Sequence, residues 1–112
     1  MRAKSEVPEG AQRAAEGGET AYVYLLLCGD GSYYCGYTVD VERRLTAHRS
    51  GKGAKYTRAR GPLTLVYLER FSSKGEALRR EAAIKKLSRA AKEALLTEPC
   101  NLVTGGEDGN HL

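Results

Sequence analysis

The sequence predicts an α+β fold: a small three-stranded, mostly antiparallel sheet with helices packed around it, in the order β-β-α-β-α-α. Two short β-prone segments surround a Gly-Asp-Gly turn, which is typical of a hairpin. Capping residues introduce one helical pattern before a third β-prone segment and two more after it. A chain of 112 residues has room for one domain with one modest core.

The first two strands are predicted at residues 22–28 and 32–38. The first is an apolar run that is too short for a helix, and the loop that follows suits a three-residue turn ending in a left-handed glycine. In that register Tyr24 lies opposite Gly36. Because side chains alternate between the two faces of a sheet, Tyr24 and Tyr34 are then expected on the same face.

The first helix is predicted over residues 41–50, with Asp40 as its N-cap. At about 100° per residue, Arg44 and His48 fall on the same stripe as the apolar residues of this helix. Packing of that stripe brings both side chains toward the sheet. A half-buried guanidinium beside two tyrosines is costly unless it meets an anion, so the sequence predicts an anion site here.

Positive charge is concentrated in the middle of the chain, where residues 41–70 hold eight Arg or Lys against two Glu. Residues 51–61 form a predicted cationic loop between the first helix and the third strand. Its basic side chains suit nucleic-acid phosphates and its tyrosine suits stacking on a base, which makes the candidate DNA-binding residues Lys52, Lys55, Tyr56, Arg58 and Arg60. A solvated connection without a ligand is equally compatible with this composition.

The third strand is predicted over residues 63–70, directly after Pro62, a position that suits proline at a strand end. Alternation in this strand places Leu63, Leu65 and Tyr67 on one face of the sheet. A short Ala-rich helix is predicted near the end of the folded part, from about residue 89 to 96.

The second helix is predicted from Ser73, its N-cap, to about residue 87. Glu81 lies within the predicted inward stripe, whose apolar members are Ala77, Leu78, Ala82 and Ile84. A carboxylate at a packed position either pairs with a buried cation or binds a metal ion. A structural salt bridge, for example to Arg44, is the alternative at this point.

Composition divides the chain into a predicted disordered leader at residues 1–20, a folded domain at 21–97 and an irregular tail at 98–112. Three cysteines without a C-x-x-C pair argue against structural zinc and disulfides, and they fit a reducing cytosol. No apolar stretch approaches a membrane span or the core of a signal peptide. We therefore expect a cytoplasmic protein without a membrane partner.

Two tyrosine triplets give the sequence a family resemblance. Tyr22-Val23-Tyr24, then Tyr34-Cys35-Gly36, then Arg44 eight residues after the glycine, resemble the GIY-YIG endonuclease family. The segment ALRREAAIKKL around Glu81 is similar to the metal-binding helix of that family, and the resemblance covers residues 21–97. It implies a metal-dependent endonuclease that hydrolyses phosphodiester bonds of branched, nicked or irregular DNA in repair or recombination.

The resemblance implies a role for each candidate site residue. Tyr24 is expected to act as general base or to orient the attacking water, and Tyr34 to hydrogen-bond the scissile phosphate or water. Arg44 would stabilise phosphate charge, and His48 would assist proton transfer or bind phosphate. Glu81 would bind the divalent cation, Mg²⁺ or Mn²⁺.

The sequence departs from the family pattern at Tyr22, where the family has glycine, and at Cys35, where it has isoleucine. Tyr37 stands where some relatives carry lysine. The alternative function is a non-catalytic nucleic-acid-binding module on the same scaffold. We expect a monomer or weak dimer that binds DNA, with RNA as the alternative, and a protein partner that supplies substrate recognition is a third interpretation.

Overall fold

The computed structural model describes residues 20–103, so the predicted leader up to residue 19 and the tail from residue 104 lie outside the described residues. The strands are β1 (Ala21–Leu27), β2 (Tyr33–Thr38) and β3 (Thr64–Phe71). They form one antiparallel sheet with the strand order β2-β1-β3. The helices are α1 (Val41–Arg49), α2 (Lys74–Lys85) and α3 (Arg89–Leu95). This order confirms the predicted α+β fold.

The hairpin of β1 and β2 has the predicted register. Tyr24 pairs with Gly36, and Leu26 pairs with Tyr34. Gly31 has φ +88, the left-handed conformation that the three-residue turn requires and that glycine adopts without steric cost.

The core forms one layer on each face of the sheet. On one face, Val41 and Leu45 of α1 pack against alternate side chains of β1, among them Tyr22 and Tyr24. On the other face, α2 and α3 cover the remaining side chains of β1 together with Cys35. All the side chains of β1 from Ala21 to Leu26 are buried, which makes β1 the centre of the fold.

The third strand does not alternate as predicted. Leu25 pairs with Tyr67 whereas the next residue, Leu26, pairs with Leu65, so one residue of β3 is bulged out. The bulge moves the side chains on either side of it to opposite faces. Leu65 packs on the α1 face and Tyr67 on the α2 face, so the prediction that both share a face is wrong.

The inward stripe of α2 is narrower than predicted. Ala77 and Ile84 are fully buried, and Glu81, one turn from each, is partly buried. Leu78 is 42% exposed, and Ala82 is also exposed. The predicted inward position of Leu78 and Ala82 is wrong because the packed stripe has only one residue per turn.

The segment after α3 is held against β3 by a buried asparagine, Asn101. Its Oδ1 accepts from the Leu68 N–H at 3.1 Å and from the Val103 N–H at 3.0 Å. Its Nδ2 donates to the carbonyls of Val66 and Leu96, at 3.0 and 3.1 Å. One amide therefore connects the end of α3 to the bulged part of β3. Between residues 20 and 103, no helix has the length and apolar character to span a membrane.

Candidate active site

Helix α1 presents Arg44 and His48 to the sheet as predicted. Asp40 caps the helix by accepting from the Arg43 N–H at 3.1 Å, which sets the rotation of the first turn. The buried apolar stripe of α1 then brings His48 to 1% exposure, while Arg44 remains half-buried.

The hydroxyl of Tyr24 is the meeting point of the site. It lies 2.8 Å from His48 Nε2 and accepts from Arg44 Nε at 3.3 Å. The Tyr24 ring lies across its cross-strand partner Gly36. A Cβ on that residue would overlap the Tyr24 hydroxyl. The glycine of the second triplet is therefore a packing requirement of the tyrosine in the first.

Tyr34 joins the same group through its ring. The ring centroids of Tyr34 and His48 are 5.3 Å apart, and those of Tyr34 and Tyr24 are 6.4 Å apart. On its outer side, Tyr34 stacks on Tyr56, with the two ring centroids 5.9 Å apart. The structure thus brings together four predicted site residues: Tyr24, Tyr34, Arg44 and His48.

Burial controls the ionisation of this group. Desolvation, assisted by the nearby charge of Arg44, lowers the pKa of His48 from 6.5 to about 4. Desolvation raises the pKa of Tyr24 from 10.0 to about 12, although the hydrogen bond from Arg44 opposes this change. That same hydrogen bond raises the pKa of Arg44. At neutral pH, the site therefore combines a neutral imidazole, a neutral phenol and a fixed positive charge.

Thr57 contacts His48 and was not a candidate from the sequence. Its Oγ1 lies 2.9 Å from His48 Nδ1, and its side chain is 2% exposed. It belongs to a 3-10 helix at Lys55–Thr57 inside the predicted loop. A threonine among basic residues carries no signal of such a role, since the contact depends on how the loop folds back onto α1.

Glu81 occupies a different position from the other candidates. It lies on α2, which packs on the face of the sheet opposite α1, and its carboxylate is 3.4 Å from Lys85 Nζ. Its side chain retains 18% exposure. Its backbone carbonyl lies 3.9 Å from Cys35 Sγ, so α2 contacts the second triplet directly. The predicted alternative, a structural salt bridge, is present, but its partner is Lys85 and not Arg44, the example given from the sequence.

The basic candidates differ in exposure. Arg60 Nε is 3.5 Å from the Asp30 carboxylate, and its guanidinium lies 4.0 Å from the centre of the Tyr56 ring. A base that stacks on Tyr56 must therefore compete with Arg60 and with Tyr34. The other three basic side chains of the segment are exposed: Lys52, Lys55 and Arg58.

Known proteins share both the sequence and the architecture. Residues 20–94 match the GIY-YIG catalytic domain. A UPF0213 protein of Halobacterium salinarum is 61% identical over 74 residues, which cover 66% of this chain and 96% of that relative. A UPF0213 protein of Streptococcus pneumoniae is 58% identical over 78 residues, which cover 70% of this chain and 79% of that relative.

A solved structure extends the comparison to three dimensions. The solution NMR structure of a protein from E. faecalis superposes with a TM-score of 0.52 at 50% identity, and covers 73% of this chain and 88% of that chain. The family match begins just before β1 and ends at residue 94, so it includes all three strands, α1, α2 and all but the last residue of α3. The predicted resemblance is confirmed: the chain belongs to the GIY-YIG family of endonuclease domains.

Proposed function

We propose that this chain is a metal-dependent endonuclease that hydrolyses phosphodiester bonds of branched, nicked or otherwise irregular DNA in repair or recombination. The observation that supports it most is the contact of Arg44, Tyr24 and His48 around one hydroxyl, beside an exposed cationic segment. The odd cysteine count favours the cytosol as the place where it acts.

Arg44 is suited to bind the scissile phosphate. Among residues 20–103, no carboxylate forms an ion pair with it, and its Nε–H is directed at a neutral phenol. A half-buried guanidinium without an anionic partner favours a phosphate that carries increasing negative charge in the transition state.

Tyr24, His48 and Tyr34 are suited to handle the attacking water. The Tyr24 hydroxyl orients the water, and the neutral imidazole of His48, 2.8 Å from that hydroxyl, takes up the proton. Tyr34 borders the same space and donates to the water or to a phosphate oxygen.

Glu81 is the residue that would hold a divalent cation, Mg²⁺ or Mn²⁺. Within the described residues there is no cluster of three or more potential ligands, but Mg²⁺ commonly binds one or two carboxylates together with waters and substrate phosphates. The partly exposed Glu81 carboxylate fits that pattern once Lys85 moves aside. Such a cation would polarise a phosphoryl oxygen.

The test is Mg²⁺-dependent nicking of an end-labelled four-way DNA junction. We expect Arg44→Ala and Glu81→Ala each to lose about 100-fold or more in rate, because transition-state charge is left unbalanced. Arg43→Ala, an exposed neighbour on α1, removes the same charge from the same helix and should cleave like the wild type. Equal cleavage by all four proteins would reject the proposal and indicate a contaminating nuclease.

The placement of Glu81 supports a second candidate, a non-catalytic nucleic-acid-binding module. The carboxylate pairs with Lys85 and belongs to the α2 layer rather than to the group around Tyr24. This function predicts DNA binding that is indifferent to Mg²⁺ and to Glu81→Gln. It also predicts no nicking of any DNA substrate.

A further inference from the structure

The segment after α1 folds directly onto the imidazole of His48. A Cβ on Gly53 would lie 2.5 Å from His48 Nδ1 and 2.8 Å from its Cα, so only glycine permits this approach. Four residues later, Thr57 Oγ1 lies 2.9 Å from His48 Nδ1 and 2.9 Å from the carbonyl oxygen of Ala54. Both nitrogens of the buried imidazole therefore have a hydroxyl partner.

This chain of hydrogen bonds has a group that can only donate at one end and a group that can only accept at the other. The Arg44 Nε–H can only donate, so the Tyr24 oxygen accepts from it and the one Tyr24 proton is left for His48 Nε2. The Ala54 carbonyl can only accept, so it takes the one Thr57 proton, and Thr57 Oγ1 accepts from His48 Nδ1. The Ala54 end therefore places the proton on Nδ1 and leaves the lone pair on Nε2, whereas the Tyr24 oxygen has a second lone pair and can also accept from an Nε2–H.

We infer that Thr57 is a positioning residue for the proposed nuclease reaction, on which this inference rests: it holds His48 in the Nδ1–H tautomer and so keeps Nε2 free to accept the Tyr24 proton. Without an acceptor at Nδ1, nothing on that side of the ring selects this tautomer. A proton on Nε2 would instead point at the Tyr24 hydroxyl and remove its acceptor.

The tautomer decides whether a proton can leave the reacting centre. As the oxygen of the water bonds to phosphorus, its proton passes to the Tyr24 oxygen and the Tyr24 proton passes to His48 Nε2. The leaving deoxyribose oxygen departs with the electron pair of its bond to phosphorus and takes a proton from solvent. The imidazolium keeps its Nδ1–H bonded to Thr57, so one hydrogen bond holds the ring before and after transfer.

The test records the imidazole ¹⁵N resonances of His48 at neutral pH, alongside steady-state cleavage of the labelled junction. His111→Gln removes the other histidine signals and assigns the spectrum. Thr57→Val keeps the shape but removes the hydroxyl, Thr57→Ser restores the hydroxyl, and Thr46→Val makes the same change at an exposed site on α1. Circular dichroism confirms that each variant is folded.

We expect protonated Nδ1 and unprotonated Nε2 in the wild type, in Thr57→Ser and in Thr46→Val. In Thr57→Val the proton should move to Nε2, and kcat should fall about 10-fold to 100-fold while KM for DNA changes little. A merely structural role would lower kcat without changing the tautomer, and that result would overturn the inference.

A wild-type spectrum with the proton on Nε2 would overturn it without any variant, even if Thr57→Val does not fold. The spectrum also separates this inference from the proposed function. Wild-type protein that cleaves no DNA would reject the nuclease while the ¹⁵N resonances still decide the tautomer.

Discussion

Tyr24 and Gly36 form a closely packed cross-strand pair in the site. The ring of Tyr24 occupies the space that a Cβ on Gly36 would need, so Gly36→Ala must displace the hydroxyl that Arg44 and His48 contact. We expect it to lower the free energy of unfolding by about 1–3 kcal/mol and to abolish most cleavage. Urea unfolding and the junction assay measure the two effects.

Gly31→Ala is the matched control for this change. It inserts the same methyl group at a residue with φ +88 that has nothing within 4 Å of its Cβ position, so it should cost about 1 kcal/mol through backbone strain alone. Its cleavage per folded molecule should equal that of the wild type. A Gly36→Ala protein that cleaves as well as Gly31→Ala would show that Tyr24 can move without loss.

The lowered pKa of His48 predicts how stability depends on pH. Because the folded protein binds this proton only below about pH 4 and the unfolded chain already below about pH 6.5, the unfolded state holds more protons in between. The contribution of neutral His48 to the free energy of unfolding is fully present above about pH 6.5 and is lost as the pH falls toward about 4. The difference amounts to about 3 kcal/mol.

Urea unfolding between pH about 4 and about 7 measures this effect. Carboxylates also titrate in this range. The informative quantity is therefore the slope of the free energy of unfolding against pH in the wild type minus the same slope in His48→Gln. His111→Gln removes a histidine outside the described residues and serves as the control for histidine content. Identical slopes for wild type and His48→Gln would mean that His48 titrates normally in the folded protein.

Periodicity predicted most of the site residues, and long-range folding supplied the rest. Strand alternation placed Tyr24 and Tyr34 on one face, and helical spacing placed Arg44 and His48 on the inner stripe of α1. Thr57 was not predicted from the sequence, because its contact with His48 depends on the path of a loop that no local pattern specifies. For the hairpin and α1, local rules therefore identify which side chains turn inward, but not which of them meet.

At the level of elements, the bulge in β3 shows the same limit. Leu63, Leu65 and Tyr67 follow a regular alternation in the sequence, and the structure interrupts it after Leu65 because β1 and β3 slip by one residue. The helix α2 is comparable: Leu78 is apolar and near the buried stripe, yet it is exposed. In both elements the partner, not the segment itself, decides which residues are buried.

Asn101 provides the element-level prediction. Asn101→Ala should destabilise the protein by about 3 kcal/mol, because it leaves the Leu68 N–H and the carbonyls of Val66 and Leu96 without their partner in a buried region. Thr97→Ala, an exposed neighbour, should stay within about 0.5 kcal/mol of the wild type. Urea unfolding gives both values, and equal losses would show that Asn101 does not hold the segment to β3.

On the scale of the whole molecule, the two helical layers give the sheet two different faces. The α1 face carries the tyrosines, the imidazole, the guanidinium of Arg44 and the cationic segment that follows α1. The α2 face is also rich in exposed basic residues, so net charge alone does not say where DNA binds. The proposed function requires the α1 face.

Salt dependence of DNA binding separates the two faces. One triple alanine variant removes exposed charges from the cationic segment: Lys52, Lys55 and Arg58. Its matched control removes exposed charges from α2 and its C-cap: Lys74, Arg79 and Lys86. Each lowers the formal net charge from +4 to +1, since three positive charges are lost, so a difference between them reflects position and not total charge.

We expect the first variant to weaken binding and to reduce the slope of log K against log salt by up to about 2.7, since each phosphate contact on duplex DNA contributes about 0.9. The control should keep most of the wild-type slope because its charges lie across the sheet from Tyr24 and Arg44. Fluorescence anisotropy with a labelled junction over a salt series measures both. A larger loss of affinity and of salt slope in the control would indicate that DNA binds the α2 face, where Glu81 lies, and not the face that carries Arg44.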